Sequence, residues 1–381
     1  MATPTAGAPV PDSRLVSLDV FRGATMAAMV LVNNPGDWGH VYAPLLHADW
    51  HGWTPTDLIF PFFLFIVGVA MTLSRATLGP WGRILRRAAT IAALGALLAG
   101  FPFFPLATWR IPGVLVRIAI GYLAATALFR WTLPRGPRDD RAHARRLAWI
   151  AAALALGYWA AMVLAPYPGH VPGDLTQEGN FAAFIDRSVI GQAHLYRQRA
   201  WDPEGLASTL PAIATVLLGV LTGFWLRAGV EGRAKAAVLA AAGLAMLALG
   251  LLWDLAFPIN KNLWTSSFVA FTGGAAALAL AACYYLVDVR RWRWWTRPFV
   301  ILGVNAITLY VLAGLSARLL GVLKVTGPDS SLVSWQRYAY LSWFAPLAAP
   351  KNASLIFALS YLAVLFVVLW AMDRKGLYLR A

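Results

Sequence analysis

An all-α bundle of transmembrane helices is the fold this sequence predicts, on three observations. Apolar residues fill 59% of its 381 positions, charged residues only 13%, and the apolar ones gather into runs long enough to cross a bilayer. An ordinary soluble domain is about a quarter charged, and a hydrocarbon core of about 30 Å takes roughly 20 apolar helical residues. The chain therefore reads as an integral membrane protein. A net charge of +15 would point a soluble protein toward nucleic acid, but here it follows from where Lys and Arg fall between the helices. The single cysteine, Cys283, sits in an apolar run, which excludes an intramolecular disulfide and a thiolate metal cluster and fits a small buried hydrophobe.

Residues 1–13, rich in Pro, Ala and Thr, read as a flexible cytoplasmic tail and not as a signal peptide. Residues 14–381 then form one membrane domain. Ten runs are expected to span: Leu15 to Asn33, Asp57 to Ser74, Arg83 to Phe101, Pro112 to Trp131, Arg145 to Leu164, Thr209 to Leu226, Lys235 to Leu255, Trp264 to Val287, Arg297 to Leu320 and Ala353 to Met372. With ten spans both termini share a side. The set of alternate loops that includes the termini carries 22 of the 32 lysines and arginines, so both termini are expected in the cytoplasm. His40, His47, His51, His170 and His194 then face outward, and His143 inward. Two outer segments are long: residues 165–208, punctuated by Pro and Gly, and residues 321–352, whose Trp335, Tyr338, Tyr340 and Trp343 suit an interfacial aromatic belt.

The organising stretch is His47 to Gly68, HADWHGWTPTDLIFPFFLFIVG, where a polar loop runs directly into an apolar helix. Titratable groups at the lip of a membrane segment are costly and mark a candidate site. Thr54, Pro55 and Asp57 fit an N-cap, a first-turn Pro and an acidic third position, so capping is a sufficient reading of Asp57. Pro61 removes a helical hydrogen bond beside that lip. His47 and His51 could share a metal with Asp49 or Asp57, but one HxxxH in a loop is a weak signal and no metal is assigned. A neutral imidazole is the more useful reading, as a base toward an incoming nucleophile or as a transient acyl carrier.

Further polar residues lie at both ends of the helices. Asp19 and Arg22 are one turn apart and close enough to pair, and Asn33 ends the same helix about 16 Å from Arg22 at 1.5 Å per residue. Arg110 and Arg117 share a helix face, and Arg117 needs a partner within the hydrocarbon, with Asp57, Asp254 and Asp19 available. The segment PINKNLW puts Asn260, Lys261, Asn262 and Trp264 on the same outer lip as His47, as snorkelling caps or as substrate contacts. Asp202 to Gly205 reads as a turn leading into the next helix.

Taken in order, SLDVFRG, VNN, HADWHGWTPTDLIFPFFLFIVG, RIPGVLVRIAIGY, DPEGLASTLPAIATVLLGVLTG, NKNLWTSSFV and LGVNAITLYV resemble the motifs of the heparan-alpha-glucosaminide N-acetyltransferase family and its bacterial transmembrane relatives, from Arg14 to about Leu312. The resemblance implies an enzyme that moves acetyl from cytoplasmic acetyl-CoA to the amine of a glucosamine-type sugar on the outer, periplasmic side of a bacterial plasma membrane. It implies His47 as the catalytic residue, with Asn33 and Asp57 beside it, and Asp19, Arg22, Arg110 and Arg117 along the acetyl-CoA channel. Trp50, His51, Asn260, Lys261, Asn262 and Trp264 are then expected at the sugar, and a homodimer is expected in the bilayer. The loop from Asn33 to His47 reads longer than in the animal enzyme, and the long lumenal region preceding its first span is not seen ahead of Arg14, so the acceptor pocket is expected to differ. An amino-sugar permease and a membrane O-acyltransferase acting on an envelope glycan are the alternative functions, alongside a protein that only binds its ligand.

Overall fold

The computed structural model describes residues 15–134, 139–327 and 331–378; the tail expected over residues 1–13 lies outside them. The described chain is all-α apart from one short hairpin. Its helices are α1 (Val16–Asn33), α2 (Ile59–Leu73), α3 (Trp81–Gly100), α4 (Val114–Trp131), α5 (Asp140–Leu164), α6 (Phe181–Val189), α7 (Thr209–Arg227), α8 (Gly232–Asp254), α9 (Ser266–Tyr284), α10 (Arg297–Val304), α11 (Ala306–Val322), α12 (Trp335–Ala339) and α13 (Pro350–Arg374).

All ten expected spans are helical. Among the described residues, eight helices are long and apolar enough to cross a membrane on those grounds alone. The other two depart from a plain span for visible reasons. Three arginines, Arg83, Arg86 and Arg87, crowd the first turns of α3, where an aqueous or headgroup setting suits them better than hydrocarbon. The run from Arg297 is broken into α10 and α11, bent by 78°. Asn305 sits at the break with φ −103° and ψ 28°, and its side-chain amide donates to the Ile301 carbonyl at 3.2 Å. A polar side chain competing for a helical carbonyl is a recognised way to interrupt the ladder.

Small residues bring the central helices into contact, as expected where lipid gives no hydrophobic drive between helices and packing must supply the attraction. A Cβ on Gly68 of α2 would lie 1.9 Å from the Val216 carbonyl oxygen of α7, and one on Gly219 of α7 would lie 2.0 Å from the Phe65 carbonyl oxygen. Gly23 of α1 and Gly303 of α10 meet just as closely. These two crossings fix α1 and α2, whose ends at Asn33 and Ile59 flank the polar lip. α8 and α13 lie at the periphery, with Leu244, Leu252, Val364 and Val367 turned outward as a lipid-facing surface requires.

The outer segment expected at an aromatic belt is more structured than a belt alone. β1 (Lys324–Thr326) pairs antiparallel with β2 (Leu332–Ser334), and α12 follows. The rings of Trp335 and Trp343 meet at 5.6 Å, above the start of α13.

Candidate active site

The first turn of the second span builds the site. Residues Pro55–Leu58 form a 3-10 turn ahead of α2, and the Thr54 backbone N–H donates to Asp57 Oδ2 at 3.0 Å. The Ala48 N–H donates to that same oxygen at 3.0 Å, which folds the 47–54 loop back over the helix start. Asp57 is 1% exposed, and its other oxygen, Oδ1, lies 2.6 Å from Nδ1 of His47. A carboxylate can only accept, so Nδ1 carries the proton and Nε2 is left with its lone pair. The capping reading of Asp57 is thus correct, and the same carboxylate orients His47.

A second loop completes the pair. The turn after α8 is held internally: the Ile259 N–H donates to Asp254 Oδ1 at 2.5 Å, the Asn260 N–H donates to Thr265 Oγ1 at 3.0 Å, and the Leu263 N–H donates to Asn260 Oδ1 at 2.9 Å. The Gly52 N–H donates to the Ile259 carbonyl at 2.7 Å and ties this turn to the His47 loop. The result presents Lys261, whose Nζ lies 3.0 Å and 3.1 Å from the two ring nitrogens of His47 and 3.5 Å from Asp57 Oδ1. Burial lowers the Lys261 pKa, with Asp57 and Glu204 pulling the other way.

These groups open onto a cavity of about 330 Å³. Asn33, His47, Asp57, Arg110, Lys261 and Asn262 line it, with Tyr196, Trp201 and Glu204, while Met26, Met29, Phe63, Ala306, Ile307 and Tyr310 form an apolar inner part. Its lining on α1 runs from Met26 to Asn33, about 10 Å at 1.5 Å per residue. The Asn33 carboxamide has no hydrogen-bond partner among the described residues and is exposed at this lip.

Arg110 and the residues of the 202–205 turn form a clamp. Arg110 Nε donates to Asp202 Oδ2 at 2.9 Å and Nη2 donates to Asp202 Oδ1 at 2.5 Å, and Nη2 also donates to Glu204 Oε2. Its guanidinium lies 4.7 Å over the Tyr196 ring. Burial alone would lower the Arg110 pKa, but Glu204 and Asp202 hold it well above the usual value. Sequence reading took Asp202 to Gly205 as a turn and missed Glu204, Tyr196 and Trp201; the signal available was a pair of carboxylates in DPEG and an arginine in RIPG.

The remaining expected residues fall elsewhere. Arg117 is fully buried, and its partners are none of the three carboxylates considered: Nη2 donates to the Gly205 carbonyl at 3.1 Å and to Ser208 Oγ at 2.5 Å, and the guanidinium stacks 5.0 Å from the Trp264 ring. Trp264 has no exposed surface, and its indole N–H donates to Thr215 at 3.1 Å, so it supports the wall behind the cavity. Asn260 is equally buried and lies 3.3 Å from Nδ1 of His51. Trp50 packs 5.0 Å from Trp201 and donates to the Leu175 carbonyl at 2.8 Å. Asp19 and Arg22 do pair, at 3.1 Å, toward the opposite end of α1, with Arg22 also reaching the Gly303 carbonyl at 3.4 Å.

Comparison with known proteins agrees with the motif order. Residues 14–137 match the family model described as heparan-alpha-glucosaminide N-acetyltransferase, catalytic. That stretch contains Asn33, His47, Asp57 and Arg110. The chain is 30% identical to the human heparan-alpha-glucosaminide N-acetyltransferase over 352 residues, which cover 78% of this chain and 52% of the human protein. It is 29% identical to the mouse protein over 358 residues, covering 78% of this chain and 53% of that relative. The chain thus spans about half the length of the curated relatives it matches. As its motif order implied, this chain is a relative of the heparan-alpha-glucosaminide N-acetyltransferase family.

Proposed function

We propose that the protein is a transmembrane acetyltransferase, moving acetyl from cytoplasmic acetyl-CoA to the amine of a glucosamine-type sugar on the outer face of a bacterial plasma membrane. The observation that carries this reading is the His47–Asp57 pair, 2.6 Å apart, at the mouth of a cavity whose inner part is apolar. Its orientation leaves Nε2 of His47 as a base or an acyl acceptor.

In direct transfer, the sugar ammonium first releases one proton to solvent. The neutral amine then attacks the thioester carbonyl while His47 takes a second proton from nitrogen. The tetrahedral intermediate collapses, the carbon–sulfur bond breaks, and His47 returns its proton to the departing CoA thiolate. In the two-step route Nε2 itself attacks the thioester, the carbon–sulfur bond breaks and the CoA thiolate leaves and takes a proton from solvent; the neutral amine then attacks the acetyl-imidazole, expels the imidazole and loses its proton to solvent. Either route leaves an N-acetyl sugar, CoA thiol and one proton.

The developing oxyanion needs a donor. Asn260 is fully buried with its amide nitrogen turned to His51 at 3.3 Å, so Asn33 is the proposed donor, with the Lys261 ammonium stabilising charge beside it. The donor's slender pantetheine arm suits the apolar floor formed by Met26, Met29, Phe63 and Tyr310, and Arg22 near the inner end of α1 suits its phosphate groups. Asn262 and Trp50 sit where the sugar would enter, Asn262 in the cavity wall and Trp50 behind it.

Purified protein given acetyl-CoA labelled in the acetyl group, with glucosamine, is expected to yield labelled N-acetylglucosamine. The broken α10–α11 helix at the cavity floor is also a feature of transporters. Uptake of unmodified glucosamine into vesicles, with no acetylated product, would replace this reading with the permease; acetylation of a glycan hydroxyl in preference to the amine would replace it with the O-acyltransferase.

A further inference from the structure

Two carboxylates line the cavity among the described residues, and they are in different states. Asp57 is saturated: Oδ1 meets His47 at 2.6 Å, and Oδ2 accepts from the Ala48 and Thr54 N–H groups at 3.0 Å each and from the Thr54 hydroxyl at 3.2 Å. Glu204 is not. Its Oε2 accepts from Arg110, whereas Oε1 has no partner among the described residues and the side chain forms part of the cavity wall. Glu204 is nonetheless nine-tenths buried as a residue, and its free oxygen keeps access to solvent where the side chain lines the cavity.

The hydrogen bonding around Glu204 leaves one of its oxygens open to a donor from the cavity. Arg110 supplies one positive charge to two carboxylates, since Asp202 takes its Nε and Nη2 before Glu204 shares Nη2. Arg117 adds a second positive charge nearby, with Nε and Nη1 unpaired among the described residues, so the cluster is balanced in charge, and Glu204 is the member that faces the cavity with an oxygen to spare. Neither neighbouring cation hydrogen-bonds Glu204: Lys261 Nζ lies on His47 and Asp57, and Arg117 donates through Nη2 to Gly205 and Ser208. Asp202 cannot serve in place of Glu204, because both its oxygens hold Arg110 and also accept the Tyr196 and Glu204 N–H groups at 2.7 Å and 2.9 Å. Rigid support of this kind is what a recognition residue needs. An unpaired carboxylate oxygen on a cavity wall is a matched acceptor for an ammonium, and a charge-assisted bond there would discriminate against a hydroxyl at the same position.

We propose that Glu204 is the acceptor-recognition residue of this cavity, binding the protonated primary amine of an amino sugar before transfer, with Arg110 and Asp202 as the residues that position it. The inference rests on the acetyltransferase reading for its acceptor class, and it adds the residue that selects an amine.

The test compares acceptors that differ only in charge. In wild type, glucosamine binding measured by calorimetry on the detergent-purified protein is expected to be at least about tenfold tighter than glucose binding, as a hydrogen bond to a charged group allows. In Glu204→Gln that preference is expected to vanish, and kcat/KM for glucosamine to fall about 10- to 100-fold, mostly through KM. CoA release supported by hydroxylamine, which is uncharged at neutral pH, should fall at least about fivefold less than release supported by glucosamine, because a loss concentrated on cationic acceptors removes binding and not chemistry. Glu204→Asp should recover part of the glucosamine preference. Equal losses with both acceptors, or a wild type that binds glucose as well as glucosamine, would overturn the assignment, and the wild-type comparison stands even if the variants do not fold. Glucosamine preference without any CoA release would retain Glu204 as an amine-binding residue and remove the transferase reading. Acetyl transfer to glucosamine that is indifferent to Glu204→Gln would do the reverse.

Discussion

Replacing Asp57 with asparagine tests the geometry of the site more sharply than deleting His47. The carboxylate accepts from two backbone N–H groups on Oδ2 and from His47 on Oδ1. An amide has only one oxygen for these two sides. Turning its oxygen toward Ala48 and Thr54 keeps two backbone bonds, and turning it toward His47 leaves those two donors facing an NH2 group, so the first orientation prevails. The amide NH2 then points at Nδ1, which must accept, and the imidazole proton moves to Nε2, the atom required for chemistry. Loss of a correctly protonated base costs about 10²- to 10⁴-fold in kcat, equivalent to about 3–5 kcal/mol of transition-state free energy. The cap is largely kept, so folding stability should change by about 1 kcal/mol or less. The assay is steady-state CoA release alongside thermal unfolding in the same detergent. A fall of less than about tenfold in kcat, with unfolding unchanged, would refute the argument that Asp57 sets the His47 tautomer.

Other consequences are as specific. Asn33→Ala should lower kcat by about 10²- to 10³-fold if Asn33 is the oxyanion donor, with little change in acetyl-CoA affinity measured by calorimetry. Asp186, buried in α6 and accepting the Leu206 N–H at 2.7 Å, has its pKa pushed by burial up to about 6. A raised carboxyl pKa stabilises the fold below the unfolded value and loses that contribution as pH rises through the folded one. Asp186→Asn should therefore be more stable to unfolding than wild type at pH 8, by at most about 3 kcal/mol, with the difference vanishing near pH 4. Gly68→Ala would place a Cβ 1.9 Å from the Val216 carbonyl oxygen; forcing α2 from α7 should cost about 1–3 kcal/mol or more, read as lost folded yield and lost CoA release together.

Much of this was legible in the sequence, for reasons the structure makes clear. Spans are legible because each helix satisfies its own backbone in lipid, so apolar length alone reveals them. The lip at His47 is legible because its parts are contiguous: His47 and Asp57 are ten residues apart, and the cap that fixes Asp57 is local. The clamp on Arg110 is not, since its partners lie 92 and 94 residues away and a DPEG sequence looks like any turn. Arg117 misled for a related reason: a carboxylate was sought, but a carbonyl, a hydroxyl and the face of Trp264 surround it. Asn260 and Trp264 share a lip with Lys261 in sequence, yet the turn spends them on its own support and only Lys261 and Asn262 reach the cavity. The bend at Asn305 required knowing that its amide would bind the Ile301 carbonyl, a choice that hydropathy does not encode.

The central claim is that His47 handles the acetyl group, and one experiment addresses it directly. CoA release from acetyl-CoA would be followed on purified wild type and His47→Ala, with and without glucosamine, from the first turnover onward. The account predicts glucosamine-dependent release in wild type and none above background in the variant, with a burst of CoA before sugar is added if the imidazole carries the acetyl. A folded His47→Ala protein that binds acetyl-CoA and acetylates glucosamine at the wild-type rate would contradict it.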